Sequence, residues 1–205
     1  MHWLKNQKTS NRTPLPCQLG YRAGIFWPTN MLTVKRITSP DAPWFSPVDA
    51  LYESAFPWHE KREPEAKVSA LSSPNYTLQA WFDGEQFIGM IASWSFGDYT
   101  YIEHLAVNGE LRAQGYGKRM LSQFLQMQPL TILEIDPLTT DIAQKRLRFY
   151  QKLGFHENGF NHYHPTYHID ISDHELIVLS YPHAISSDQY QRFNTDLSSV
   201  VMGRD

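Results

Sequence analysis

The stretch Leu111–Met120, LRAQGYGKRM, sets two glycines two residues apart between an arginine and a lysine. A strand-like run, YIEHLAV (101–107), precedes it, and KRMLSQFLQM (118–127), with helical spacing of its apolar residues, comes after it. Gly115 and Gly117 leave the backbone open where side chains would block a ligand, and a helix N-terminus presents unpaired N–H groups with partial positive charge. The turn is therefore either a plain strand-to-helix cap or a seat for a phosphate. Two dinucleotide and nucleotide signatures do not fit. The spacing is not G-x-G-x-x-G, and Gly117-Lys118 is followed by Arg119 rather than by serine or threonine.

On the N-terminal side, LTVKRI (32–37) alternates as a strand, and VDALYESAF (48–56) has helical spacing before a charged loop and a second short helix. YTLQAWFD and EQFIGMIASWSF are strand-like runs joined at Asp83-Gly84, a hairpin signal. YTYIEHLAV (99–107) adds a third antiparallel strand. After the glycine turn come a helix over 115–128, the strand LTILEI (130–135), and the helix DIAQKRLRFYQKLGF. That helix places Ile142, Leu147, Phe149, Tyr150 and Leu153 on an apolar face, with Gly154 as its C-terminal cap. Strands near 156–164 and 174–181 and a helix near 187–200 complete a mixed α/β chain.

The 205 residues suffice for one sizeable core, and a 41% apolar and 14% aromatic content is that of a packed globular protein. The single cysteine, Cys17, allows no internal disulfide, and no apolar run is long enough to span a bilayer. A cytoplasmic protein without membrane partners is expected. The net charge of −3 hides an asymmetry. Residues 1–40 hold Lys5, Lys8, Arg12, Arg22, Lys35 and Arg36 and no acid; taking these six from 18 leaves 12 basic against 21 acidic residues, a balance of −9. An acidic body disfavours nucleic-acid binding. Residues 1–30 read as a basic, poorly ordered extension, with the single domain over 31–205 opening at Met31.

The segment Arg112-Ala113-Gln114-Gly115-Tyr116-Gly117, between an LAV-type strand and a helix, resembles the acyl-CoA signature Q/R-x-x-G-x-G/A of the GNAT superfamily of N-acyltransferases. RFYQKLGF (148–155) is similar to that superfamily's fYeklGF block, in the right order and after an intervening strand. SAFPWHEKR (54–62) resembles a further segment of some bacterial members. The resemblance covers roughly 32–180 and implies the GNAT-like fold: a mixed, mostly antiparallel sheet flanked by helices.

It also implies roles. The turn's N–H groups at Arg112, Gln114, Gly115, Tyr116, Gly117 and Lys118 would hold the CoA pyrophosphate of acetyl-CoA, used as co-substrate. The preceding strand would splay from its neighbour so that Leu105, Ala106 and Val107 pair with pantetheine and the acetyl carbonyl. Direct attack needs a neutral amine and hence a base. Glu103 is the first candidate, on the face that alternation shares with Leu105 and Val107, and Glu134 the second; each can equally be a structural carboxylate. Alternation turns His104 away. Tyr150 matches the family tyrosine that donates a proton to the departing thiolate. An asparagine frequent before this helix in the family is missing here, where PLTTDIAQKR stands instead, so the usual side-chain contact to pantetheine is not implied by the resemblance. The histidines of HENGFNHYHPTYHIDISDH fit no standard zinc spacing, so no metal is expected, and Tyr163, His164 and Tyr167 are candidate acceptor contacts. The implied activity is acetyl transfer from acetyl-CoA to a primary amine of a small molecule or peptide, with a homodimer possible. The alternative is an inactive acyl-CoA-binding sensor or interaction domain.

Overall fold

A computed structural model describes residues 31–204; the basic extension assigned to residues 1–30 lies outside the described residues. Strand β1 (Thr33–Ile37) precedes helix α1 (Phe45–Ala55), a single 3₁₀ turn at Trp58–Glu60 and the short α2 (Pro64–Ala70), which has its proline in the first turn, where no N–H is needed. β2 (Tyr76–Asp83) and β3 (Gln86–Ser95) form the expected hairpin, with Gly84 taking the left-handed φ of +60° that the turn requires. β4 (Thr100–Val107) continues the meander.

The second half alternates α3 (Tyr116–Leu125), β5 (Thr131–Ile135), α4 (Asp141–Gln151), β6 (His156–His164), β7 (His174–Tyr181) and α5 (Ser187–Asp196). A π-helical turn at Leu197–Val201 extends α5. Two helices start on side-chain caps: Thr140 accepts from Ala143 N–H, and Ser186 forms a reciprocal capping box with Gln189. The seven strands run in the order β1-β2-β3-β4-β5-β7-β6, with β4 and β5 the parallel pair. Among the described residues no helix is long and apolar enough to cross a membrane.

Each sheet face is covered by helices, giving two apolar cores. On one face Val48, Leu51 and Tyr52 of α1 and Phe193 of α5 meet Leu78, Met90, Tyr101 and Ala106. On the other, Met120, Leu121 and Phe124 of α3 and Leu147 and Tyr150 of α4 meet Trp81, Ile91, Ile102, Leu133 and Leu179. Each fully buried side chain of this size contributes about 1.5–3 kcal/mol. Ile142, expected on the apolar face of α4, is instead 69% exposed; it sits in the first turn, and the buried face of the helix is made by Ala143, Leu147 and Tyr150.

Two irregularities in β4 open the sheet. Its pairing with β3 slips between Ala92 and Ser93, so that His104 faces Ala92, Ile102 faces Ser93, and Glu103 is left over as a bulge. Beyond Ile102, β4 has no register partner on β5: the parallel ladder covers only Thr100–Ile102 against Thr131–Leu133. The two strands diverge from Glu103 onward and leave a wedge.

Candidate active site

The wedge is the floor of a cavity of about 480 Å³, large enough for a small ligand or an extended chain. Its walls include Glu103 to Val107 of β4, Leu133 to Ile135 of β5 with Asp136 after it, Tyr150 of α4 and the loop from Pro165 to Tyr167. The expected residues Glu103, Leu105, Ala106, Val107, Arg112, Glu134 and Tyr150 all lie on it. The edge of β4 that faces β5 is thereby open along the stretch where backbone groups were expected to meet pantetheine.

Gln114, Gly115, Gly117 and Lys118 sit at the start of α3. Ala113 (φ 63°) and Gly115 (φ 82°) both take left-handed backbone, which turns successive N–H groups toward one side of the turn. Among the described residues, the N–H groups of Gly115 to Lys118 have no backbone acceptor, whereas Arg119 N–H already closes onto the Gly115 carbonyl. A Cβ on Gly115 would meet nothing within 4 Å, so the space in front of the turn is open. Arg112 and Lys118 are exposed beside it. Free donors, the helix N-terminus and two cations suit a pyrophosphate. The Tyr116 side chain turns elsewhere: its hydroxyl donates to Asp83 Oδ2 at 3.2 Å, leaving only its N–H for a ligand.

The bulge corrects one expectation. Because Glu103 is the extra residue, it does not share the face of Leu105 and Val107. It points with His104 toward Trp94 and α1, and the two side chains lie on the same face. Glu103 is fully enclosed and accepts from three donors: Arg62 Nε at 2.7 Å, Trp94 Nε1 at 2.7 Å and Tyr167 OH at 2.9 Å. Burial pushes its pKa up, but the Arg62 charge, His104 and the two neutral donors outweigh that and hold it at about 2. His104 donates Nε2–H to the Glu60 carbonyl at 2.8 Å, and its ring is bracketed by Tyr52 and Phe56. Burial pushes its pKa down.

Glu134 is likewise buried and bound. His162 Nε2 and the Tyr101 hydroxyl hold one carboxylate oxygen each, and His162 Nδ1 lies 3.0 Å from the Tyr190 hydroxyl. Burial raises the Glu134 pKa, but His164, His162 and Tyr101 hold it below the usual carboxylate range. Tyr150 has its pKa raised by burial, with Arg146 opposing, so its hydroxyl keeps its proton at neutral pH. His164 and Tyr167 line the cavity, while Tyr163, one step along the strand, is 48% exposed. Among the described residues no three His, Cys, Asp or Glu side chains are placed to hold a metal ion.

The profile of the acetyltransferase (GNAT) family matches residues 44–155, more than half of the sequence and including both β4 and the glycine turn. The chain belongs to the GNAT acetyltransferase family. A Bacteroides thetaiotaomicron protein assigned as a GNAT acetyltransferase superposes with a TM-score of 0.80 at 27% identity, over 84% of this chain and 99% of that one. Arabidopsis thaliana Naa50, solved with the bisubstrate analogue CoA-Ac-MVNAL, shares the fold at a TM-score of 0.53 and 18% identity, over 73% of this chain and 97% of its own. YjbC of Bacillus subtilis (strain 168), assigned as an acetyltransferase, is 28% identical over 98 residues, 47% of this chain. The chain thus spans about half (50%) of that curated relative.

Within this GNAT frame several residues of the site have no local signature. Arg62 is 41 positions from Glu103, and His162 is 28 from Glu134; neither pairing is visible until the sheet is assembled. Gly89 is another. A Cβ there would lie 2.4 Å from the Ala106 carbonyl oxygen, so β3 needs glycine where it crosses the β4 segment that lines the wedge.

Proposed function

We propose that this GNAT protein transfers the acetyl group of acetyl-CoA to a primary amine of a small molecule or peptide by direct attack. The observation that carries the reading is the wedge between β4 and β5, lined by Arg112 just ahead of the glycine turn and by Glu103 and Glu134. Naa50, whose fold this chain shares, holds CoA joined through an acetyl group to a peptide. The same division of the cavity suits both substrates here.

Gln114, Gly115, Tyr116, Gly117 and Lys118 would hold the pyrophosphate through backbone N–H groups, Lys118 also through charge, and Arg112 through charge alone, since its N–H donates to the Gly109 carbonyl. Leu105, Ala106 and Val107 present the open edge of β4 to pantetheine and to the acetyl carbonyl. A backbone N–H aimed there strengthens its bond as negative charge develops on that oxygen. Acetyl-CoA supplies an acetyl group activated as a thioester. Tyr150, kept protonated by burial, donates to the leaving sulfur. Glu134 would attract the acceptor's ammonium as an anion, while Glu103 supports the wall of the cavity. Of the two, Glu134 has the less crowded carboxylate, since Glu103 is enclosed by Arg62, Trp94 and Tyr167.

The test is incubation with acetyl-CoA and a panel of polyamines, aminoglycosides, amino acids and peptides, with products identified by mass. A product heavier by one acetyl group supports the reading. Tight acetyl-CoA binding with no acetylated amine would favour the alternative of a binding module.

A further inference from the structure

We infer that His164 Nε2 is the proton acceptor of the transfer and that it forms, with Glu134 Oε2, the subsite for the acceptor's primary ammonium. This role rests on the protein being an acetyltransferase. The two atoms are 3.9 Å apart, both side chains are buried, and both line the cavity. One nitrogen placed on the cavity side can reach each of them at an ordinary hydrogen-bond length of about 2.9 Å.

The orientation of His164 is set from behind. Its Nδ1 lies 2.7 Å from the Pro165 carbonyl, an acceptor only, so Nδ1 carries the hydrogen. In the neutral ring Nε2 then presents its lone pair, and among the described residues no donor occupies it. The other basic groups of the cavity are less suited. Glu103 already accepts three hydrogen bonds, and Glu134 one on each oxygen. His104 is held by its Nε2 bond to the Glu60 carbonyl and by edge contacts with Tyr52 and Phe56, whereas the ring contact of His164 is with Tyr167, whose centroid lies 5.1 Å away.

The charges around His164 come from several elements. Glu134 on β5 is the carboxylate beside its Nε2. The Glu103–His104 pair and Tyr101 on β4, Tyr167 in the loop, and His174, its register partner on β7, line the same cavity, as do His59 and Glu60 of the 3₁₀ turn, Asp136 after β5 and Arg146 on α4, while His162 on the same strand holds Glu134. The proton balance closes. The ammonium gives one proton to Nε2, and the neutral nitrogen bonds to the acetyl carbon as the carbon–sulfur bond breaks. The sulfur takes the Tyr150 proton, the second nitrogen proton restores Tyr150, and the imidazolium returns one proton to solvent.

The experiment uses the fastest amine of the panel and follows kcat/KM against pH for wild type, His164→Asn and His164→Ala. Asparagine can still donate to the Pro165 carbonyl but has no equivalent of Nε2, so it separates folding from proton transfer. Acetyl-CoA affinity, read by calorimetry, should hold in both variants, and kcat/KM should fall by roughly 100-fold or more, the usual span for loss of a general base. The acid limb of the profile should vanish in His164→Asn, and added imidazole should restore part of the rate in His164→Ala. A His164→Asn enzyme with the wild-type profile and rate overturns the role of His164 while leaving the transferase intact. Wild-type protein that releases thiol with no amine overturns both.

Discussion

Arg62 Nε lies 2.7 Å from Glu103 Oε1, with 8% of the arginine side chain and none of the glutamate side chain exposed. The same guanidinium donates to the Val201 carbonyl at 2.7 Å, and its backbone N–H donates to the Tyr52 hydroxyl. One residue therefore ties the segment after the 3₁₀ turn, the bulge of β4 and the C-terminal π turn into one unit. Replacing Arg62 with Met should destabilise the fold by about 3–5 kcal/mol, because an unpaired buried carboxylate remains. Chemical denaturation measures this, and the double variant with Glu103→Gln should lose less than the sum of the single changes.

Glu103 also predicts the shape of acid unfolding. Its folded pKa of about 2 lies below the ordinary 4.5, so its contribution to stability is complete above the ordinary value and is lost as pH falls from there through about 2. Wild-type stability should decline across that window more steeply than that of Glu103→Gln. Parallel declines in denaturant titrations over the window would remove Glu103 from this role.

The two glycines of the turn should fail in different ways. Gly115→Ala meets no atom but must adopt a φ of 82°, costing about 1 kcal/mol of stability with the cradle still open. At Gly117 a Cβ would already touch Val107 at 3.5 Å and Phe149 at 3.7 Å. The branched side chain of Gly117→Val should crowd the approach and weaken acetyl-CoA binding by about tenfold, roughly 1.4 kcal/mol. Calorimetric titration of the two variants separates strain from crowding.

Gly89→Ala tests the crossing of β3 and β4. The 2.4 Å approach to the Ala106 carbonyl is backbone on both sides and cannot be relieved by a side-chain rotation. The variant should lose about 1–3 kcal/mol of stability, the usual cost of overpacking, and also bind acetyl-CoA more weakly as Ala106 and Val107 shift. Unchanged denaturation and unchanged affinity would contradict this placement of the β4 edge.

The parts legible in the sequence were those written in local pattern. Alternation, the Asp83-Gly84 turn, the glycine turn and the helical spacing around Tyr150 depend on neighbours a few residues away, and the elements appear close to where these signals put them. The face of Glu103 was not legible. A bulge is a property of two strands, and nothing in IEHL announces that β3 will slip between Ala92 and Ser93. The Arg62–Glu103 and His162–Glu134 contacts were hidden for the same reason, being made by residues far apart in the chain. The histidine-rich run shows the other limit. Its members read as one cluster, yet the fold sends His162 to Glu134, His164 to Pro165, and His168 to Glu63 and Trp58.

The most direct measurement is amine-dependent thiol release from acetyl-CoA by wild-type protein and by Tyr150→Phe, with acetyl-CoA affinity measured alongside. Direct transfer with Tyr150 as the acid predicts release by the wild type with at least one primary amine. It also predicts a turnover lower by roughly 100-fold in Tyr150→Phe at unchanged affinity, the scale expected for loss of a positioned acid. Equal turnover by the two proteins, or acetyl-CoA binding with no release for any amine, would contradict it.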